Sequence, residues 1–243
     1  MRQDDAAGPS PRSAVRRSRI LEAALACFNE RGFTATTIEE ICQRSGASVG
    51  SVYHHFGGKE GLAAALYVEG LGAYQRGFRD VLEQDPGAEA GIKGLVRHHL
   101  GWTGTHRDLA RFLLTRRETE LVLATEGSVR DMNQELFSAT RRWLRPHVEA
   151  GSLRPLPLDL FYTLLIGPAQ EFARAWVHGQ SASSIDQATD VLAEAAWLAL
   201  RGSAGPGPGA GPGEEGGHAG RVEVEHLGAG ELSVTDAVEA EHR

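Results

Sequence analysis

An all-helical chain in two helical domains is what the 243-residue sequence predicts, on three observations. From about residue 14 to residue 201 apolar side chains recur three and four positions apart, and nowhere do they alternate over the length of a strand. Helix starts are marked by two capping boxes, Thr37 with Glu40 and Ser184 with Gln187, in which each side chain satisfies the other residue's free amide. Composition changes at both ends: residues 1–13 lack apolar periodicity, and from Ser203 Gly and Pro are too dense to bury a core. The expected order is a disordered arm over 1–13, a small helical domain over 14–74, a larger one over 75–202 and a flexible acidic tail over 203–243.

A formal net charge of −7 argues at first against a polyanionic partner. Its distribution removes the objection. Eight acids and two arginines lie in the tail, whereas four arginines and no acid lie between Arg12 and Arg19. Attraction to phosphate follows the local field rather than the sum. The chain has no apolar run of membrane-spanning length and no signal-peptide core, so it reads as soluble and cytoplasmic. Cys27 and Cys42 fall on apolar helix faces and read as small buried hydrophobes rather than a disulfide.

The first helix is expected from about Ser13. Ile20, Ala23, Ala24, Cys27 and Phe28 make its apolar face, and Gly32 stops it. Arg16, Arg17 and Arg19 stand near its start, where basic side chains gain nothing from the helix dipole, so an external anion is one explanation and a solvated helix end the other. The next stretch, TIEEICQRSGASVGSVYHHF from Thr37 to Phe56, organises the rest. Thr37 caps a short helix whose apolar face is Ile38, Ile41 and Cys42. Gly46 ends it at a left-handed position, and Ser48 caps another helix whose buried edge is Val49, Val52 and Phe56. Ser51, Tyr53, His54 and His55 are left facing outward. Two helices joined by a short Gly-containing turn form the unit whose second helix enters a major groove. An ordinary helical hairpin is the plainer alternative, but its solvated face would carry Lys and Glu instead of small residues, Tyr and His.

The run RILEAALACFNERGFTATTIEEICQRSGASVGSVYHHFGGKEGL resembles the N-terminal domain of the TetR/AcrR family of bacterial transcriptional regulators. The likeness extends from about Ala14 to Tyr74 and includes Gly32-Phe33, Thr36-Thr37-Ile38, Gly46, Gly50, Tyr53, Phe56 and Lys59-Glu60. It implies a DNA-binding surface drawn from Arg16, Arg17, Thr36, Thr37, Ser48, Val49, Gly50, Ser51, Tyr53, His54 and Lys59, the last contacting a phosphate from the start of a long linking helix. Two positions depart from the pattern. Val49 stands where a basic residue is frequent, and Gly58 where Ser is frequent, so the second helix carries no fixed positive charge. The sequence around Gly57-Gly58-Lys59 lacks the spacing and preceding strand of a nucleotide-binding loop.

The linking helix is expected over about 59–84 and ends at Asp85-Pro86-Gly87; further helices follow over about 88–104, 106–115, 125–150, 157–179 and 184–201. Pro168 lies inside the helix that starts at Pro157, where it removes one backbone hydrogen bond and should kink the helix. Most aromatics here read as core. The resemblance implies in addition an apolar effector pocket, for which His99, Trp102, Phe112, Arg116, Glu120, Phe137, Phe161, Leu165 and Gln170 are the candidates. It also implies a homodimer through the last two helices, with Phe172, Trp176, Ala188, Val191, Leu192, Ala195 and Ala199 as the candidate interface. His98 and His99 are adjacent and so make a poor metal pair, and neither a metal nor a cofactor is expected.

The function implied is a ligand-responsive repressor that binds double-stranded DNA at a near-palindromic operator and is released by a small apolar or amphipathic molecule. Two rivals stand beside it. One is a helical adaptor whose acidic tail engages a protein partner; the other is an enzyme using His98, His99 or Glu120, against which no nucleophile is paired with a base at recognisable spacing.

Overall fold

The structure, a computed structural model, describes residues 11–115 and 119–202, the side chains of 119–124 apart. The described residues form nine helices: α1 (Pro11–Arg31), α2 (Ile38–Ser45), α3 (Val49–Phe56), α4 (Lys59–Glu83), α5 (Ala88–Thr105), α6 (Arg107–Thr115), α7 (Thr119–Glu149), α8 (Leu158–Val177) and α9 (Ile185–Leu200). Two starts differ from expectation. α1 begins at Pro11, because proline's fixed φ and missing N–H suit a first helical position. α7 begins at Thr119, and α8 runs through Pro168 as one helix.

The expected caps are present. Glu40 N donates to Thr37 Oγ1 at 3.3 Å and Thr37 N to Glu40 Oε2 at 3.1 Å. Ser184 and Gln187 reciprocate in the same way at 3.2 and 3.0 Å. Gly46 ends α2 at φ +70°, its N–H donating to Cys42 O at 2.9 Å.

Apolar faces bury into two cores. One joins Ile20, Ala24, Phe28, Ile41, Val52, Leu62 and Leu66 from α1 to α4 with Phe112 from α6. The other joins Phe78 and Leu82 at the far end of α4 to α5, α7, α8 and α9. α4 therefore spans both, about 37 Å at the helical rise. α6 is its short companion: Phe112 packs 6.0 Å from Phe28, Asn29 donates to Asp108 O at 2.9 Å, and at the opposite side Arg107 lies 4.7 Å over the Trp176 ring of α8.

The end of α9 is tied down by a short antiparallel bridge, Leu153 with Arg201, with Arg154 N donating to Leu200 O at 3.0 Å and Gly202 N to Ser152 O at 2.9 Å. Lys93–Glu194 and Arg97–Asp190 ion pairs at 2.6 and 3.5 Å set α9 antiparallel on α5. The bridge therefore lies near the start of α5, at the end of the molecule away from α3. The expected tail over 203–243 and arm residues 1–10 lie outside the described residues.

Candidate nucleic-acid interface

α3 is short but fixed at both ends and along one side. Ser48 accepts from Ser51 N at 3.2 Å, and Gly57, left-handed at φ +74°, donates to Tyr53 O at 2.9 Å. Val52 is its fully buried contact. Gly61 brings α4 against its end: a Cβ there would stand 1.7 Å from Phe56 O, so no larger residue permits this approach. With those anchors, Ser48, Gly50 and His54 are exposed, Ser51 is half-buried, and Tyr53 is 55% exposed. Val49, expected in the buried edge, is instead 44% exposed, because it lies at the open start of α3 between the exposed Ser48 and Gly50. Nothing lies within 4 Å of where a Gly50 Cβ would be, so the backbone is open to close approach.

Beside this face, Arg12, Ser13 and Arg16 of α1 and Ser48, Ser51, His54 and His55 of α3 line an open cleft of about 430 Å³. Arg12 and Arg16 are four residues apart and so share one face of α1. Neither has an acidic partner among the described residues. Of the other local arginines, Arg31 pairs with Glu40 at 2.6 Å and Arg44 with Glu30 at 2.7 Å, bracing α1 on α2, while Arg19 is exposed. Among the described residues the cleft thus presents two guanidinium groups without an acidic partner and two imidazoles, with no carboxylate in its lining, an arrangement suited to phosphate.

Three residues expected at the DNA surface are placed otherwise. Arg17, one position past Arg16, turns the other way; its guanidinium forks onto Glu69 of α4 and lies 5.3 Å over the Phe56 ring. Thr36 is buried and donates to Gly32 O at 2.7 Å, tightening the α1–α2 turn. Lys59 directs its ammonium at Phe33 O (3.0 Å), Thr34 O (3.4 Å) and Thr36 O (3.0 Å) and lies 4.6 Å over the Phe33 ring. Its donors gather the carbonyls of that turn, so its role here is to pin α4 to the helix-turn-helix unit. Thr37 is exposed, with its hydroxyl engaged as the cap of α2.

Residues 20–66 match the family described as "Bacterial regulatory proteins, tetR family". That match spans the helix-turn-helix unit just described, including its cap, its turn glycine and α3. The chain's N-terminal DNA-binding domain is that of the TetR family. Among TetR-family relatives, the HTH-type transcriptional repressor AcnR of Corynebacterium diphtheriae is 27% identical over 186 residues, covering 74% of this chain and 91% of that protein. The HTH-type transcriptional repressor KstR2 of Mycobacterium tuberculosis is 28% identical over 158 residues, 62% of this chain and 76% of that one. In fold the chain is similar to the fatty acid degradation regulator FadR from Bacillus halodurans, at TM-score 0.65 and 20% identity over 82% of this chain and all of that one. TetR-family regulators bind operator DNA, typically as dimers, and the family and these relatives are transcriptional regulators rather than enzymes. No described helix is long and apolar enough to cross a membrane.

The second half of the chain sorts the other expected residues. Phe112 does not line an effector site; it is buried in the DNA-binding core, because α6 folds back beneath α1. Phe161 and Leu165 are fully buried in the second core. Trp102, Phe137 and Gln170 are half-buried, and His99 is buried against Tyr74, its Nδ1 3.0 Å from the tyrosine hydroxyl. Arg116 and the Glu120 side chain lie outside the described residues. The adjacent His98 holds the same tyrosine from the other side, 2.9 Å from Tyr74 O. No group of three or more potential metal ligands occurs among the described residues.

On α9 the helical repeat separates an inner face, Ala193, Ala196 and Leu200, from an outer one, Val191, Ala195 and Leu198. Ala188, expected in the dimer stripe, is packed inside its own chain, and Phe172 packs against the same core. Trp176 is covered in part by Arg107. Leu192 and Ala199 are half-buried flanks. What stands free is Val191 at 68%, Leu198 at 51% and, on α8, Leu160 at 49%, the last two not anticipated from sequence.

Proposed function

We propose that this chain is a ligand-responsive repressor: a homodimer that sets two α3 helices into successive major grooves of a near-palindromic operator and releases it when a small apolar or amphipathic molecule enters the 75–202 domain. The observation that carries the DNA reading is the face formed by Ser48, Gly50, Ser51, Tyr53 and His54 beside Arg12 and Arg16, which has no carboxylate and no acidic partner for either arginine among the described residues. Tyr53 and the open backbone at Gly50 suit base edges and sugar, and the two arginines suit the flanking phosphates. The repressor names of the AcnR and KstR2 relatives support the sign of the output. The function is exerted where the operator lies, in the cytoplasm.

Dimerisation is supported by Val191, Ala195 and Leu198 of α9 and Leu160 of α8, apolar side chains that the single chain leaves uncovered. Release is supported by α6, which touches α1 through Phe112 and α8 through Trp176 and so links the two cores. A ligand shifts that pair of states only by binding them unequally.

The test is a mobility shift of the purified chain on DNA flanking its own gene, and on a random-sequence pool, at two salt concentrations. A dimer-sized, salt-sensitive complex is expected, with Tyr53→Ala or Arg16→Ala weakening it about tenfold and leaving the dimer intact. Arg16→Ala should also flatten the salt dependence by roughly one phosphate contact. Unchanged affinity in both variants, or no complex from the pool at low salt, overturns the reading.

A further inference from the structure

The second core contains a continuous run of aromatic rings. Trp102 meets Tyr74 at 5.5 Å, Tyr74 meets Phe78 at 6.2 Å, Phe78 meets Tyr162 at 6.2 Å, and Tyr162 meets Phe137 at 5.4 Å. The polar atoms set among these rings are partnered within the chain. Tyr162 and Thr140 share a hydrogen bond of 2.6 Å, Thr103 donates to His99 O at 2.8 Å, His98 donates to Tyr74 O at 2.9 Å, and Gln75 donates to Asn133 Oδ1 at 2.8 Å. Four buried side-chain atoms lack a partner among the described residues, His147 Nε2, Asp159 Oδ1, Arg174 Nε and His99 Nε2, and His99 Nε2 is the one on a residue packed against this run of rings.

Its protonation follows from its neighbours. Burial, with a smaller contribution from His98, pushes His99 down to about 4, so the ring is neutral at neutral pH and carries one proton. Burial likewise pushes Tyr74 upward and keeps its hydroxyl proton in place. If that hydroxyl donates to Nδ1, the ring proton sits on Nε2 and a single donor is unmet. The opposite arrangement leaves both Nε2 and the hydroxyl proton unmet, which costs more. Nε2–H is therefore a donor facing the interior.

Buried donors without acceptors are rare in native proteins. A buried water would need about two to four polar partners, and the two hydroxyls that meet His99, those of Tyr74 and Thr103, already hold hydrogen bonds to it. A carbonyl oxygen needs one donor and brings its own apolar body to the rings.

We propose that the effector is a neutral, mainly apolar molecule bearing a carbonyl oxygen, such as a ketone, ester or thioester, and that His99 Nε2–H holds that oxygen. This rests on the reading of the 75–202 domain as the effector domain. A bare carboxylate fits less well: a neutral imidazole offers a full buried charge only one hydrogen bond, and none of the described rings and hydroxyls around His99 carries a fixed positive charge.

The test uses the full chain and three probes of matched length: methyl decyl ketone, dodecane and dodecanoate. Tryptophan fluorescence reads binding, and operator release is measured in parallel. The ketone is expected to bind about tenfold more tightly than the alkane, the preference being lost in His99→Phe and kept in part in His99→Gln, which retains an N–H. Thermal unfolding checks that both variants fold. Equal binding of ketone and alkane, or a ketone preference that survives His99→Phe, overturns the anchor while leaving the effector domain standing. Tightest binding by dodecanoate overturns the neutral ligand. Failure of all three probes to bind or to release the operator overturns the anchor and the effector reading together.

Discussion

At the scale of single residues, neighbours in sequence part company according to the face each occupies. Arg16 opens toward the cleft, whereas Arg17 is an internal strut on Glu69. Lys59 looks in sequence like a free phosphate ligand, yet in the fold three carbonyls claim its ammonium. His99 is set apart by burial and makes stability depend on pH. Its folded value lies near 4 against an ordinary 6.5, so the unfolded chain takes up a proton first as the pH falls. Its contribution is fully present above about pH 6.5 and is lost toward pH 4, about 3 kcal/mol in all. Urea unfolding of the wild type and His99→Gln at about pH 7.5 and pH 4.5 should show that the wild type loses about 2 kcal/mol more than the variant, the greater part of that total.

At the scale of elements, α6 is the piece whose position changes its meaning. Nine residues long and amphipathic, it reads as one more helix of the second domain, yet it buries Phe112 with Phe28 in the first core. Phe112→Ala removes a fully buried ring, and a loss of about 3–5 kcal/mol is expected. Hydrogen exchange should locate that loss in α1 to α3, with α8 and α9 little changed. Loss confined to α5, α7 and α8 would contradict this packing. α3 shows the converse, since its limits, Ser48 cap and Gly57 stop follow from local chemistry alone.

At the scale of the molecule, the outer faces of α8 and α9 are the surface proposed for dimerisation. Val191→Glu with Leu198→Glu places two charges on side chains that the single chain leaves mostly exposed, so the fold should survive while the dimer does not. Light scattering should report a monomer, and operator affinity should drop about a hundredfold or more as the two heads lose their shared attachment. A variant that remains dimeric would move the interface elsewhere.

Local chemistry was enough to determine the helix-turn-helix unit from Thr37 to Phe56, its caps and left-handed glycine, the all-helical class and the family likeness, because each depends on residues within one or two turns of one another. Three-dimensional packing decided the rest. Whether Arg17 or Arg16 is free, whether Lys59 faces out, where Phe112 buries itself and which side of α9 is bare all depend on a partner from a distant helix. Periodicity gives a helix an apolar face, but it does not say which neighbour covers that face. His99 is the sharpest case: its identity is plain in the sequence, while its neutral ring and unmet Nε2 exist only because α4 brings Tyr74 to one side of it and the fold buries the other.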